Sequence, residues 1–202
     1  MDLSPTPFSM ISAGDVHALI PKRWTAQPLA QDALRQGVVA SPHPELWARG
    51  YGSVPGLEVS WVDIGRAGIP THYWYLAASG PAIPRLAESG RCTRSAHRVL
   101  LDHRPAFGTQ RTSPSDYVVR ASGHCDRKGD ARDTRWAYFV AAPGFGPLRD
   151  IGLPTSGLYT VVAVVHDRPD ADKRLRRMVM SARFGQTSVF NLIRAARGSQ
   201  QL

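Results

Sequence analysis

Cysteine is scarce in this chain: only two occur among 202 residues, Cys92 and Cys125. Two cysteines cannot make the dense disulfide network that holds small secreted domains together. The chain is also long enough to bury a full hydrophobic core without such a network. Both cysteines have polar neighbours that include glycine and arginine, which is typical of loop edges. We therefore predict one disulfide in an oxidising compartment, with two free cytosolic thiols as the alternative.

Long apolar runs are absent as well. The longest, residues 158–165, is far shorter than the run of about 18 residues that a membrane-spanning helix needs. The N-terminus has neither the basic start nor the apolar stretch of a signal peptide. Its Ser- and Pro-rich opening resembles a spacer. Two interpretations stay open: a cytosolic protein, or an exported or membrane-tethered one whose leader is absent from this sequence.

Lysine is nearly absent, since only three of the 25 basic residues are lysines and the others are arginines. Together with 16 acidic residues this gives a formal net charge of +9, which favours association with anions. The arginines are spread from Arg23 to Arg197, whereas a dedicated phosphate-binding surface would cluster them. The expected partner is an anionic ligand, a glycan, a lipid or an envelope protein. Nucleic acid is possible and not favoured.

Motifs for catalysis and cofactor binding are missing too. The sequence has no G-x-S-x-G elbow and no phosphate-binding loop, and Ser156 lies in a typical turn sequence. We predict no metal and no cofactor, because the residues that could gather around a metal lack the spacing of zinc motifs. Those residues are His97, Asp102, His103, His124 and Cys125. A hydrolase that uses Asp102 with His103 or His124 is the third hypothesis for function.

The apolar pattern predicts a single α+β domain over residues 15–197, with a flexible segment at 1–14 and a tail at 198–202. Its centre is expected to be an antiparallel sheet of about six or seven strands flanked by helices. The last two strands have no polar face, which indicates central strands that are covered on both sides. The predicted strands cover residues 15–20, 57–61, 71–78, 97–101, 116–122, 135–142 and 158–166.

Four helices are predicted, at residues 28–37, 83–88, 170–184 and 188–196. The first would begin at Pro28 and stop at Gly37, and the third would end at Gly185. The third has the strongest pattern, because its apolar residues recur at helical spacing and its arginines decorate the other side. These apolar residues are Ala171, Leu175, Met178, Val179 and Ala182.

Aromatic residues suggest where a ligand could bind. Aromatic rings can line a pocket, and aromatic-lined clefts are common ligand sites. The sequence offers Trp61 and, in one short segment, His72, Trp74 and Tyr75. We take these four as the candidate binding residues. Packing in the core or at a sheet edge is the alternative for the tryptophans.

The two ends of the chain resemble a known family. The segment Ile20-Pro21-Lys22-Arg23-Trp24 resembles the opening motif of PsbP-like domains, including the LpqN-type lipoproteins of actinobacteria. The strands at 136–140 and 158–165 and the helix at 172–183, which closes in Met-Ser-Ala-Arg-Phe, are similar to the end of such domains. The resemblance implies an antiparallel sheet flanked by helices and no catalytic residues. It implies a non-enzymatic, extracytoplasmic accessory or ligand-binding domain; a cytosolic nucleic-acid-binding or regulatory protein is the alternative.

Overall fold

A seven-stranded antiparallel sheet lies at the centre of the computed structural model, which describes residues 7–29, 35–49, 54–64, 92–101, 118–125, 133–141 and 147–198. Its strands are β3 (Thr25–Pro28), β4 (Arg35–Ser41), β5 (Gly56–Asp63), β6 (Cys92–Leu101), β7 (Val118–Cys125), β8 (Thr134–Ala141) and β9 (Gly157–His166). They are arranged in the order β3-β4-β5-β9-β8-β7-β6. The predicted α+β class and the antiparallel sheet of about six or seven strands are confirmed.

Strand β9 is the middle of this sheet and pairs with β5 on one side and β8 on the other. Only Thr160 and His166 of β9, and only Arg135 of β8, escape full burial. Both faces of these strands are therefore covered, as their continuous apolar sequence predicts. Across the β5–β9 pair, the Ser60 and Thr160 hydroxyls form a hydrogen bond of 2.8 Å, which satisfies two polar groups inside the sheet.

A smaller sheet joins the two ends of the chain. It contains β1 (Phe8–Ala13), β2 (Val16–Pro21), β10 (Arg183–Phe184) and β11 (Thr187–Ser188), in the order β1-β2-β10-β11. The prediction of a flexible segment at 1–14 is therefore wrong for residues 8–13, because the turn at Gly14 folds them back as a hairpin onto β2. The Gly185 amide donates a 2.7 Å hydrogen bond to the Asp15 carbonyl, which fixes this junction.

Four helices are described: α1 (Pro44–Arg49), α2 (Pro147–Asp150), α3 (Ala171–Ser181) and α4 (Val189–Gly198). Helix α3 lies against β2, β8 and β9. Its predicted apolar face is confirmed, since Ala171, Leu175, Met178 and Val179 are all buried. It ends at Ser181 and not at Gly185, which instead has a positive φ of 58° in the β10–β11 turn. None of the helices in the described part of the chain is long and apolar enough to cross a bilayer.

The helix predicted at 28–37 is wrong where the structure describes it. Thr25–Pro28 and Arg35–Ser41 are strands that pair with each other, and the Leu29 amide donates to the Gly37 carbonyl at 3.0 Å. Helix α1 lies in a region for which neither a helix nor a strand is predicted. The predicted strand at 71–78 and helix at 83–88 lie outside the described residues, as do residues 1–6 and 199–202.

Candidate functional site

A cleft opens between helix α3 and the strands β7 and β8. Its volume is about 410 Å³, which falls within the range of about 300–1,000 Å³ that is usual for small-molecule sites. We call its inner surface the floor, which consists of Ser122, Gly123, Ala137, Leu175, Val179 and Met180. We call its outer surface the rim, which consists of His124, Arg135, Asp172 and Arg176. The cleft thus has an apolar interior and a charged entrance.

Small side chains in the sheet create the space for the cleft. Ser122 of β7 and Ala137 of β8 are direct register partners, so two small residues stand side by side on the floor. Leu175 and Val179 are buried and hold α3 down against β8 and β9. The helix is therefore anchored over the centre of the sheet and leaves an open space toward β7.

Arg135 of the rim contacts two carboxylates. Its Nε donates to Asp167 Oδ1 at 2.7 Å, and its Nη1 donates to Asp172 Oδ2 at 2.9 Å. The hydrogen bond to Asp172, followed by that to Asp167, raises the pKa of Arg135 above its usual value. The guanidinium links β8 to the segment after β9 and to the first turn of α3.

His124 lies beside Arg135, since the two are register partners of β7 and β8. Its Nε2 is 3.3 Å from Asp167 Oδ2 and 4.0 Å from Asp133 Oδ2. The Asp167 amide in turn donates to the Asp133 carbonyl at 2.7 Å. Asp133 precedes β8 and Asp167 follows β9, so the antiparallel pairing of these strands brings both carboxylates to the same end of the sheet.

The arrangement suits the binding of an amphipathic molecule. The floor offers apolar surface, and the rim offers guanidinium donors for an anionic or polar head group. Within the described ranges, no three His, Cys, Asp or Glu side chains are grouped so that they could hold a metal ion.

The sequence-predicted binding residues are not brought together at this cleft. Trp61 belongs to β5 and stacks against Tyr159 with ring centroids 6.4 Å apart, outside the cleft. His72, Trp74 and Tyr75 lie outside the described residues. Of the residues considered for hydrolysis or metal binding, His124 is part of the rim. Asp102 and His103 are not described.

Sequence reasoning missed most of the rim. In the sequence, Asp172 fits the first turn of a helix, where the helix dipole favours an acidic residue, and Arg176 fits a solvated helix face; neither pattern points to a cleft. One signal was present, however. Two predicted antiparallel neighbours at 135–142 and 158–166 place the start of the first strand and the end of the second at one sheet end, which brings Arg135 and Asp167 together.

No protein-family model matches the chain, and a search of the curated proteins finds no relative.

Proposed function

We propose that this chain is a non-enzymatic binding domain of a cell-envelope protein, exported or membrane-tethered, which holds an amphipathic ligand. The cleft between α3 and β7–β8 carries this proposal. It combines a mainly apolar floor with a charged rim in one site of suitable volume. The PsbP-like resemblance of the two ends of the sequence is part of this proposal.

The charged groups of the rim support binding over catalysis. Arg135 is held by two carboxylates, Asp167 and Asp172. The less exposed of the two, Asp167, keeps the Arg135 guanidinium in a fixed position at the entrance. Fixed polar groups around an apolar cleft orient a ligand and give it specificity.

The positions of the two cysteines support a location outside the cytoplasm. Cys92 and Cys125 are direct register partners at the ends of β6 and β7. Opposed residues in an antiparallel pair have Cα atoms about 4.5–5.5 Å apart, and disulfides span about 4.4–6.8 Å. We propose that the cysteines form a cross-strand disulfide. The two thiols lose two protons and two electrons to an oxidised thiol–disulfide oxidoreductase of the compartment.

The binding proposal can be tested with a fluorescent fatty acid. Titration of the purified protein with dansyl-undecanoic acid should give a saturable rise in emission, because the probe enters an apolar environment. The variant Ser122→Phe should weaken binding at least about tenfold, since a phenyl ring fills the floor.

The matched control is Thr25→Phe, which adds the same ring to an exposed strand away from the cleft. It should bind the probe as the unmodified protein does. Both variants should show a cooperative thermal unfolding transition, as a folded protein does. Absence of saturable binding, or equal binding by the two variants, would contradict a ligand site in this cleft.

The alternative, a cytosolic nucleic-acid-binding or regulatory protein, is supported by one observation. Lys173, Arg176 and Arg177 are exposed on α3 and form a basic helix surface. Such a surface attracts polyanions in a salt-dependent manner.

A further inference from the structure

The two carboxylates that hold Arg135 differ in how firmly they are placed. Asp167 is 28% exposed, its amide is bonded to the Asp133 carbonyl, and it also contacts His124. Asp172 is 78% exposed and contacts Arg135 at 2.9 Å. Exposed ion pairs of this kind contribute little to stability, so a competing anion can replace the Asp172 carboxylate at small cost.

A second cation lies at the same entrance. Arg176 lies one helical turn after Asp172 and belongs to the rim. Within the described part of the chain it forms no ion pair, in contrast to Arg135 and Arg174. A guanidinium presents five N–H donors, and the two contacts to Asp167 and Asp172 use only two of those on Arg135. Donors from two arginines are therefore available at the mouth of the cleft.

We infer that the cleft binds an alkyl carboxylate whose head group displaces Asp172 from Arg135, so that Asp172 occupies the ligand's place when the cleft is empty. This inference rests on the proposed binding function and names its ligand class. The ligand carboxylate takes donors from Arg135 and Arg176, and its alkyl chain lies on the floor against Leu175 and Val179. Such charge-assisted hydrogen bonds are the stronger ones, especially when they are bidentate.

The charges around the rim agree with an anionic head group. Of the rim residues, Arg135 and Arg176 are cations, Asp172 is the only carboxylate, and His124 is directed at Asp167 and Asp133. Once the Asp172 side chain rotates away from Arg135, the entrance holds two arginines. Arg135 remains paired with Asp167. A ligand carboxylate then balances the second positive charge.

Three ligands with the same ten-carbon chain test the head group: decanoate, decanol and decylamine. Their dissociation constants are measured by displacement of dansyl-undecanoic acid or by calorimetry. Decanoate should bind at least about tenfold tighter than decanol, and decylamine should bind more weakly than decanol. Arg135→Gln should remove the advantage of decanoate over decanol.

Asp172→Asn tests the displacement. It should tighten decanoate binding about threefold to tenfold and leave decanol binding unchanged, because the competing carboxylate is gone. Asp170→Asn is the matched control. It removes the same charge two residues away, outside the cleft lining, and should change decanoate binding less than about twofold.

The outcomes distinguish the displacement of Asp172 by a carboxylate from ligand binding in the cleft. If decanol binds as tightly as decanoate, or if Asp172→Asn tightens binding no more than Asp170→Asn does, this inference fails while the binding cleft stands. If none of the three compounds nor the probe binds to the folded protein, the proposed function fails.

Discussion

Trp47 of α1 lies directly against Gly56 at the start of β5. Trp47 is 1% exposed, and a Cβ atom placed on Gly56 would lie 2.1 Å from its Cε3 atom. The absence of a side chain at Gly56 therefore determines how closely the indole can pack onto the sheet. A larger residue must push the ring out of its position.

We expect Gly56→Ala to lower the free energy of unfolding by about 1–3 kcal/mol, the usual cost of overpacking a core. Urea denaturation followed by tryptophan fluorescence measures this. The control Gln27→Ala, on the exposed strand β3, should change stability by less than about 0.5 kcal/mol. Equal stability of the two variants would show that Trp47 can move away freely.

Tyr159 gives a prediction about pH. Burial, and to a smaller degree the negative charge of Asp63, raise the pKa of Tyr159 well above its usual value. Its hydroxyl donates to the Pro154 carbonyl at 2.9 Å. In the unfolded chain a tyrosine ionises near about pH 10, so the native state holds this proton more tightly than the unfolded state.

The direction in which stability changes with pH follows from this difference between the native and unfolded pKa values of Tyr159. The stabilising contribution of Tyr159 is fully present below about pH 10 and is lost as the pH rises above that value, because the unfolded state then gains the phenolate. We expect the stability of the unmodified protein to fall more steeply than that of Tyr159→Phe between about pH 9 and pH 11. Parallel curves would contradict the raised pKa.

At the scale of elements, strands β6 and β7 give the clearest test of localisation. We expect the protein purified from its native host without reductant to lack two hydrogen atoms in its intact mass and to resist alkylation of Cys92 and Cys125. The variant Cys92→Ser should lose about 3–4 kcal/mol of stability by the loop-entropy estimate for the 92–125 loop. Two alkylated thiols in the native protein would remove the extracytoplasmic half of the proposed function.

Elements with strong patterns were predictable from sequence, and elements decided by distant contacts were not. Strands β8 and β9 and helix α3 have continuous or periodic apolar residues that hardly allow another structure. The helix expected at 28–37 failed because Gly37 has a different role from a helix stop. A Cβ atom there would lie 2.6 Å from the Val59 carbonyl oxygen, so this glycine allows close packing of β4 on β5.

The same limit applies to the candidate site. Its rim is drawn from β7, β8 and the first turns of α3, which are far apart in sequence and meet only through the register of the sheet. Residue types alone could mark His124 as notable but could not place it beside Arg135. The aromatic residues were candidates in the sequence because of their large rings. Trp61, however, stacks against Tyr159 outside the cleft.

At the scale of the whole molecule, the net charge of +9 predicts a general attraction to polyanions. We expect weak binding to duplex DNA at low salt, with equal affinity for unrelated sequences. This binding should disappear at about 0.2 M salt. Fluorescence anisotropy with two unrelated duplexes measures this. Tight, sequence-dependent binding that survives physiological salt would favour the cytosolic alternative.

The position of β9 also has a consequence for how the chain is made. β9 joins the group β3-β4-β5 to the group β8-β7-β6, and it begins only at Gly157. The small sheet likewise pairs β2 with β10, near the end of the chain. A nascent chain on the ribosome therefore lacks the strand that unites its large sheet until Gly157–His166 has been made. The two sheets can be completed only after β9, β10 and β11 have emerged, which leaves the earlier strands accessible to chaperones or to transport in an unfolded form.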